Sequence, residues 1–281
     1  MTDAPTAALL DEPAKPGAPK PATRRRYLRW AVWVLAAVAV AALIGAGAFV
    51  YWGMTPQQAT PTAIAAMSGS EGVKVTDTPA GYRFALESMP TTDPIGLVLY
   101  PGGHVDPRAY APLATQMARQ GVVVVVPRMP LSLAFLDIDA AKRAMAAEPG
   151  IGTWIVGGHS LGGTAACLFV KGNPGKAAGL LLLASYPPDG CDLSNAKGPD
   201  GKPLQVLSIR GKRDELVTAK DIAESKPLLP PDTIYLTIPG GNHAQFGSYG
   251  PQAGDGTPKI VEQGQQLFTA LALNRLLKAL H

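Results

Sequence analysis

The chain is expected to form a mainly parallel α/β sheet with helices on both faces, preceded by one N-terminal transmembrane helix. Three observations predict this. Apolar runs such as IGLVLY, VVVVV and AGLLLL recur along the sequence, as strands buried on both faces of a sheet do. Between them lie stretches of helical pattern closed by Gly or Pro, and strands alternating with helices make parallel sheets. Ahead of all of them, Trp30 to Trp52 form a stretch of 23 residues without a charge.

The 281 residues, 47% of them hydrophobic, are ample for one core. The formal charge is +4, but residues 1–29 alone carry six basic and three acidic groups, leaving 19 basic and 18 acidic groups for the rest. The basic excess belongs to the tail. A clustered Lys/Arg face of the kind nucleic-acid binders use is lacking. Residues 1–29, rich in Ala, Pro and Thr before RRRYLR, read as a disordered cytoplasmic tail. As a helix, residues 30–52 would span about 35 Å, enough for a hydrocarbon core of roughly 30 Å. Trp30 and Trp33 sit at one end, Tyr51 and Trp52 at the other, and the arginines precede the span. That asymmetry places the N-terminus in the cytoplasm and the remainder across the membrane. Ala46-Gly47-Ala48 offers the competing reading, a cleaved signal peptide and a secreted protein. Residues 53–70, small and polar with two prolines, read as a linker.

Residues 71–281 read as one globular domain. EGVKVTDTPAGYRFALES holds two alternating runs around Pro79-Ala80-Gly81, a hairpin signal. IGLVLYP and VVVVVP are buried strands, with a helix from Pro107 to Gln120 between them. Ile138 to Ala147 is an Ala-rich helix. TWIVGG is a strand, Leu161 to Lys171 a helix. AGLLLLAS, PLQVLSIRG and TIYLTIPGG are three further strands, with a short helix near Lys220 to Ser225. Val261 to Leu280 closes the chain as a helix. In such sheets ligands bind at the carboxyl ends of strands.

At one of those ends, Gly158-His159-Ser160-Leu161-Gly162 fits G-x-S-x-G between a strand and a helix. A serine at the apex of a sharp strand-to-helix turn needs small neighbours, so that strand and helix can approach. A serine hydroxyl also needs a base. Of the four histidines, His281 is terminal and His159 adjoins the serine, where a packing role is expected. His104 follows the first long strand. His243, after the last strand, alone gives the chain order serine, acid, histidine. Asp214 follows the preceding strand and is preferred as the acid over Glu215, Asp189 and Asp192; it would orient the imidazole. Two backbone N–H groups must face the developing oxyanion. Leu161 supplies one, and Gly103 or His104 in PGGH the other. Tyr110, Phe246 and Tyr249 are candidate cleft walls, with a core role as the alternative. No cofactor is expected. The two cysteines, Cys167 and Cys191, match no zinc pattern, and whether they pair stays open. The three internal histidines have no local spacing for a metal.

From about residue 71 onward the chain resembles the α/β-hydrolase family, in particular compact bacterial "alpha/beta hydrolase fold-5" members. YPGGHVDPRAYAPLA, GGHSLGG, RGKRDELV and GGNHAQFGSYGPQAGDG carry the resemblance. It implies hydrolysis of small carboxylic esters through Ser160, Asp214 and His243. A thioesterase or peptidase with the same residues, or an inactive membrane-tethered binding protein, are the alternatives. Many relatives carry a helical cap where this chain has only YPPDGCDLSNAKGPDGK. A minimal cap implies an open cleft and small or flexible substrates.

Overall fold

A computed structural model of the chain describes residues 21–70, 72–88 and 93–280. Most of the expected disordered tail, and His281, lie outside the described residues. The first helix, α1 (Pro21–Met54), has no acidic or basic residue after Arg29. Within it, Arg25–Met54 is long and apolar enough to cross a membrane, its most apolar 18 residues having a mean hydropathy of 2.4. Its large apolar side chains are exposed all round, Leu35 at 68% and Leu43 at 73% among them. A helix apolar on every face needs an apolar surround. The chain divides into two compact units between Phe49 and Val50, so the last turn of α1 belongs to the second unit.

That unit is built on an eight-stranded sheet. Its strands are β1 (Val73–Thr78), β2 (Gly81–Leu86), β3 (Ile95–Tyr100), β4 (Val122–Val126), β5 (Thr153–His159), β6 (Gly179–Leu183), β7 (Gln205–Gly211) and β8 (Ile234–Ile238), in the order β1-β2-β4-β3-β5-β6-β7-β8. The hairpin β1–β2 joins β4 antiparallel, and every other pairing is parallel. Leu97 and Leu99 of β3 face one core with Leu113 and Met117 of α3 (Ala111–Ala118) and Leu273 and Leu276 of α7 (Glu262–Leu280). Val98 and Tyr100 face the other, with Ala141 and Ala144 of α4 (Ala140–Ala147) and Phe169 of α5 (Leu161–Gly172). This two-sided burial is what the unbroken apolar strands demanded. β3 connects outward to β4 and β5 continues the other way. Their adjacent carboxyl ends are therefore the switch point of the sheet.

Two segments differ from their sequence reading. Residues 53–70 are packed structure rather than a loose connector. Gln57 forms a parallel bridge with Val105 and the Thr60 N–H donates to the Ser248 carbonyl at 2.8 Å. Thr60 then caps a short helix, α2 (Pro61–Ala66), whose Ala63 is fully buried. Small polar residues hide this because the bonds are made by backbone, which composition does not report. The helix expected over Pro107–Gln120 begins as a 3-10 turn, Pro107–Tyr110, before α3. The cap-less stretch 186–202 contains no helix.

Candidate active site

Strand β5 runs into Ser160, which holds φ 52° and ψ −125° before α5 begins. A non-glycine residue rarely adopts that conformation, and it turns the side chain out of the strand direction. The glycines around it make the turn possible. A Cβ on Gly158 would lie 2.4 Å from the Gly162 carbonyl carbon, and one on Gly162 would lie 2.3 Å from the carbonyl oxygens of Tyr100 and Pro101. Ser160 is half-buried and Leu161 exposed. The Leu161 N–H opens α5, where the first amides have no intrahelical acceptor.

His243 follows β8 and is buried. Its Nδ1 lies 3.0 Å from Asp214 Oδ2 and 3.2 Å from Oδ1. The same carboxylate accepts from the Leu216 and Val217 amides at 3.0 and 2.7 Å, which fixes its plane. Glu215, Asp189 and Asp192 are exposed. Facing Asp214, the His243 ring donates Nδ1–H and leaves a lone pair on Nε2. That Nε2 is buried without a hydrogen-bond partner among the described residues. No bond from the Ser160 hydroxyl to it is formed; such bonds often tighten only around substrate.

The loop bearing His243 is clamped from below. Asp255 accepts from the His243 and Ala244 amides at 3.1 and 2.9 Å. Gln265 of α7 holds Asn242 at both its N–H, 3.0 Å, and its carbonyl, 2.8 Å. Neither clamp was singled out in the sequence. The available signal was an acidic residue isolated between glycines in GDG.

His159 is buried against His243, ring centroids 4.7 Å apart. Its Nδ1 lies 2.8 Å from the Tyr110 hydroxyl, which also accepts the Gly102 N–H at 2.8 Å. Burial, then the charge of His243, hold the His159 imidazolium well below the usual 6.5. Burial likewise raises the Tyr110 phenol. Of the two roles left open for the three aromatics, cleft wall or core, their burial matches the core. Tyr110 and Phe246 are fully buried and Tyr249 nearly so; all three pack around His159. Their rings surround His159, against which His243 packs in turn.

The loop after β3 lies beside the elbow, since a Cβ on Gly103 would meet Leu161 Cδ1 at 2.5 Å. Its amides are not equivalent. Gly102 donates to Tyr110 and His104 to the Ser132 carbonyl at 2.8 Å. Of the two expected donors, the His104 N–H is thus engaged by a backbone carbonyl. The His104 ring, far from joining the other histidines, stacks on Trp52. A cavity of about 620 Å³ lined by Lys171, Pro174 and Asp192–Gly198 shares no residue with this constellation.

The model of the Alpha/beta hydrolase family matches residues 96–267, more than half of the chain. No curated protein matches it. Among solved structures, lip1 from Acinetobacter baumannii AYE is similar at a TM-score of 0.53 and 15% identity, covering 78% of this chain and 96% of its own. Esterase 2 of Thermogutta terrifontis, phosphoramylated by tabun, reaches 0.50 at 16% identity over 74% of this chain and 95% of its own. TT1662 from Thermus thermophilus reaches 0.50 at 15%, over 73% and 98%. Those likenesses concern the fold. Together with the family match over β3 to α7, they show that the chain belongs to the alpha/beta hydrolase family.

Proposed function

We propose that the protein is a membrane-anchored serine esterase acting on small carboxylic esters. Ser160 Oγ attacks the ester carbonyl while His243 Nε2 takes its proton. Asp214 keeps Nδ1 protonated and stabilises the imidazolium without taking the proton. The amides of Leu161 and Gly103 face the oxyanion, aided by the positive end of α5. The imidazolium then protonates the departing alcohol, leaving Ser160 acylated. Water, deprotonated by the same nitrogen, releases the acid. The observation that carries this reading is the Asp214–His243 pair at 3.0 Å. It leaves Nε2 with a buried lone pair that has no partner among the described residues. The absence of a helix over residues 186–202 supports an open cleft and short acyl groups. The apolar helix is read as an uncleaved anchor. Arg24, Arg25, Arg26 and Arg29 before it put the N-terminus in the cytoplasm and the hydrolase unit outside.

The test is the full chain in detergent against p-nitrophenyl esters of increasing chain length, beside thioester and peptide panels. Short esters should be preferred, and a fluorophosphonate probe should label Ser160. Ser160→Ala should remove both while shifting stability by no more than about 1 kcal/mol. More than a few per cent residual activity in that variant would sink the assignment.

A further inference from the structure

Gly103 lies between two residues whose backbone is pinned. On one side Gly102 donates to Tyr110. On the other, His104 sits at φ 58°, a left-handed conformation uncommon for residues other than glycine. Several contacts hold it here. Its N–H donates to the Ser132 carbonyl at 2.8 Å and its carbonyl accepts the Gln57 N–H at 2.9 Å. Its ring lies flat on the Trp52 indole, centroids 4.0 Å apart and planes within 5°. Its Nε2 is 2.7 Å from the Trp52 carbonyl; a carbonyl only accepts, so Nε2 carries the proton. The Asp106 N–H closes the bridge on the Gln57 carbonyl at 2.9 Å. Gly53 packs so tightly on Leu131 that a Cβ there would lie 2.6 Å from the leucine Cβ. Two of the contacts on His104 thus come from Trp52 and a third from Gln57.

We infer that Trp52 and the chain as far as Gln57 position the oxyanion loop: by fixing His104 they aim the Gly103 N–H at the substrate carbonyl. This deepens the esterase reading and rests on it. In this role Trp52 is a positioning residue acting through His104, at the end of the apolar span that composition marks as the membrane helix. All of these residues belong to the unit that begins at Val50, and cleavage after Ala48 would leave them in place.

The experiment compares kcat and KM of the full chain in detergent with p-nitrophenyl acetate. Trp52→Leu keeps apolar bulk but removes the stack. It should lower kcat about 100-fold, the cost of a misplacement near 1 Å, with KM within about twofold and an unchanged circular dichroism spectrum. Trp52→Phe, which can still stack, should recover most of the loss. His104→Gly accepts the left-handed backbone without strain but loses both ring contacts. It should show the same fall in kcat, and Trp52→Leu with His104→Gly together should fall no further than either alone. If Trp52→Leu does not fold, His104→Gly against the parent carries the same readout. Wild-type kcat in a folded Trp52→Leu or His104→Gly protein would overturn the inference, as would losses that multiply in the double variant. Residual hydrolysis in Ser160→Ala would instead remove the esterase reading itself.

Discussion

At the scale of residues, the buried pair His159 and His243 carries two separate predictions. Asp214→Asn would keep the shape of the site but cannot hold Nδ1–H in the same way. By protease precedent it should cost about 10⁴ in kcat with little change in KM, which pre-steady-state or steady-state assays of the purified variant can measure. His159 makes a separate prediction through stability. Its folded form, buried beside His243, refuses a proton that the unfolded chain accepts near 6.5. The unfolded state therefore binds more protons as the pH falls below that value, and stability must drop there. For one proton the slope is about 1.4 kcal/mol per pH unit. Urea midpoints between pH 7.5 and 5 should fall more steeply for the parent than for His159→Gln; parallel curves would remove His159 from the cause. Little of this pairing was legible in the sequence. Ser160 and its glycines are local and readable. The Tyr110–His159 bond joins residues 49 apart, and an aromatic gives no sign of whether it walls a cleft or supports a ring from beneath.

At the scale of elements, the start of α5 lies closer to the carboxyl end of β3 than side chains permit. Gly162→Ala would put a methyl group 2.3 Å from two backbone oxygens, where neither neighbour is a flexible tip. Soluble yield should collapse, or stability fall by about 3 kcal/mol or more. Gly172→Ala, at the last residue of the same helix, has nothing within 4 Å of the new Cβ. It should be neutral or gain up to about 1 kcal/mol from helix propensity. Thermal midpoints of the two proteins check the contrast. The strands and α5 were legible because apolar runs and glycine spacing are local properties. The ordered path from Gly53 to Thr60 was not. Its partners, Ser132, His104 and Ser248, are distant in sequence, and its bonds are mostly backbone to backbone. The clamp of Gln265 on Asn242 escaped for a related reason, since its side-chain amide holds the main-chain N–H and carbonyl of a residue 23 positions away.

At the scale of the whole molecule, the two thiols and the apolar helix bear on where the protein works. Cys167 and Cys191 are both free and buried, and burial raises both thiols above their usual range. Thiol reagents should therefore modify neither in the native protein and both after unfolding in guanidinium; rapid labelling of the folded chain would contradict the burial. For the anchor, intact-mass measurement should find the chain uncleaved, whereas an N-terminus at Phe49 would mean a secreted enzyme. External protease on spheroplasts should reach the hydrolase unit if the arginine asymmetry sets orientation. The path of the chain out of the helix has one more consequence. Trp52 is stacked on His104 before the Thr- and Pro-rich stretch even begins. The stretch that looks like a seam is thus no place to divide the protein. Recombination that swapped one anchor for another there, in a genome or at the bench, would carry away part of the scaffold of the site. A viable exchange has to be spliced ahead of Val50, inside the helix itself.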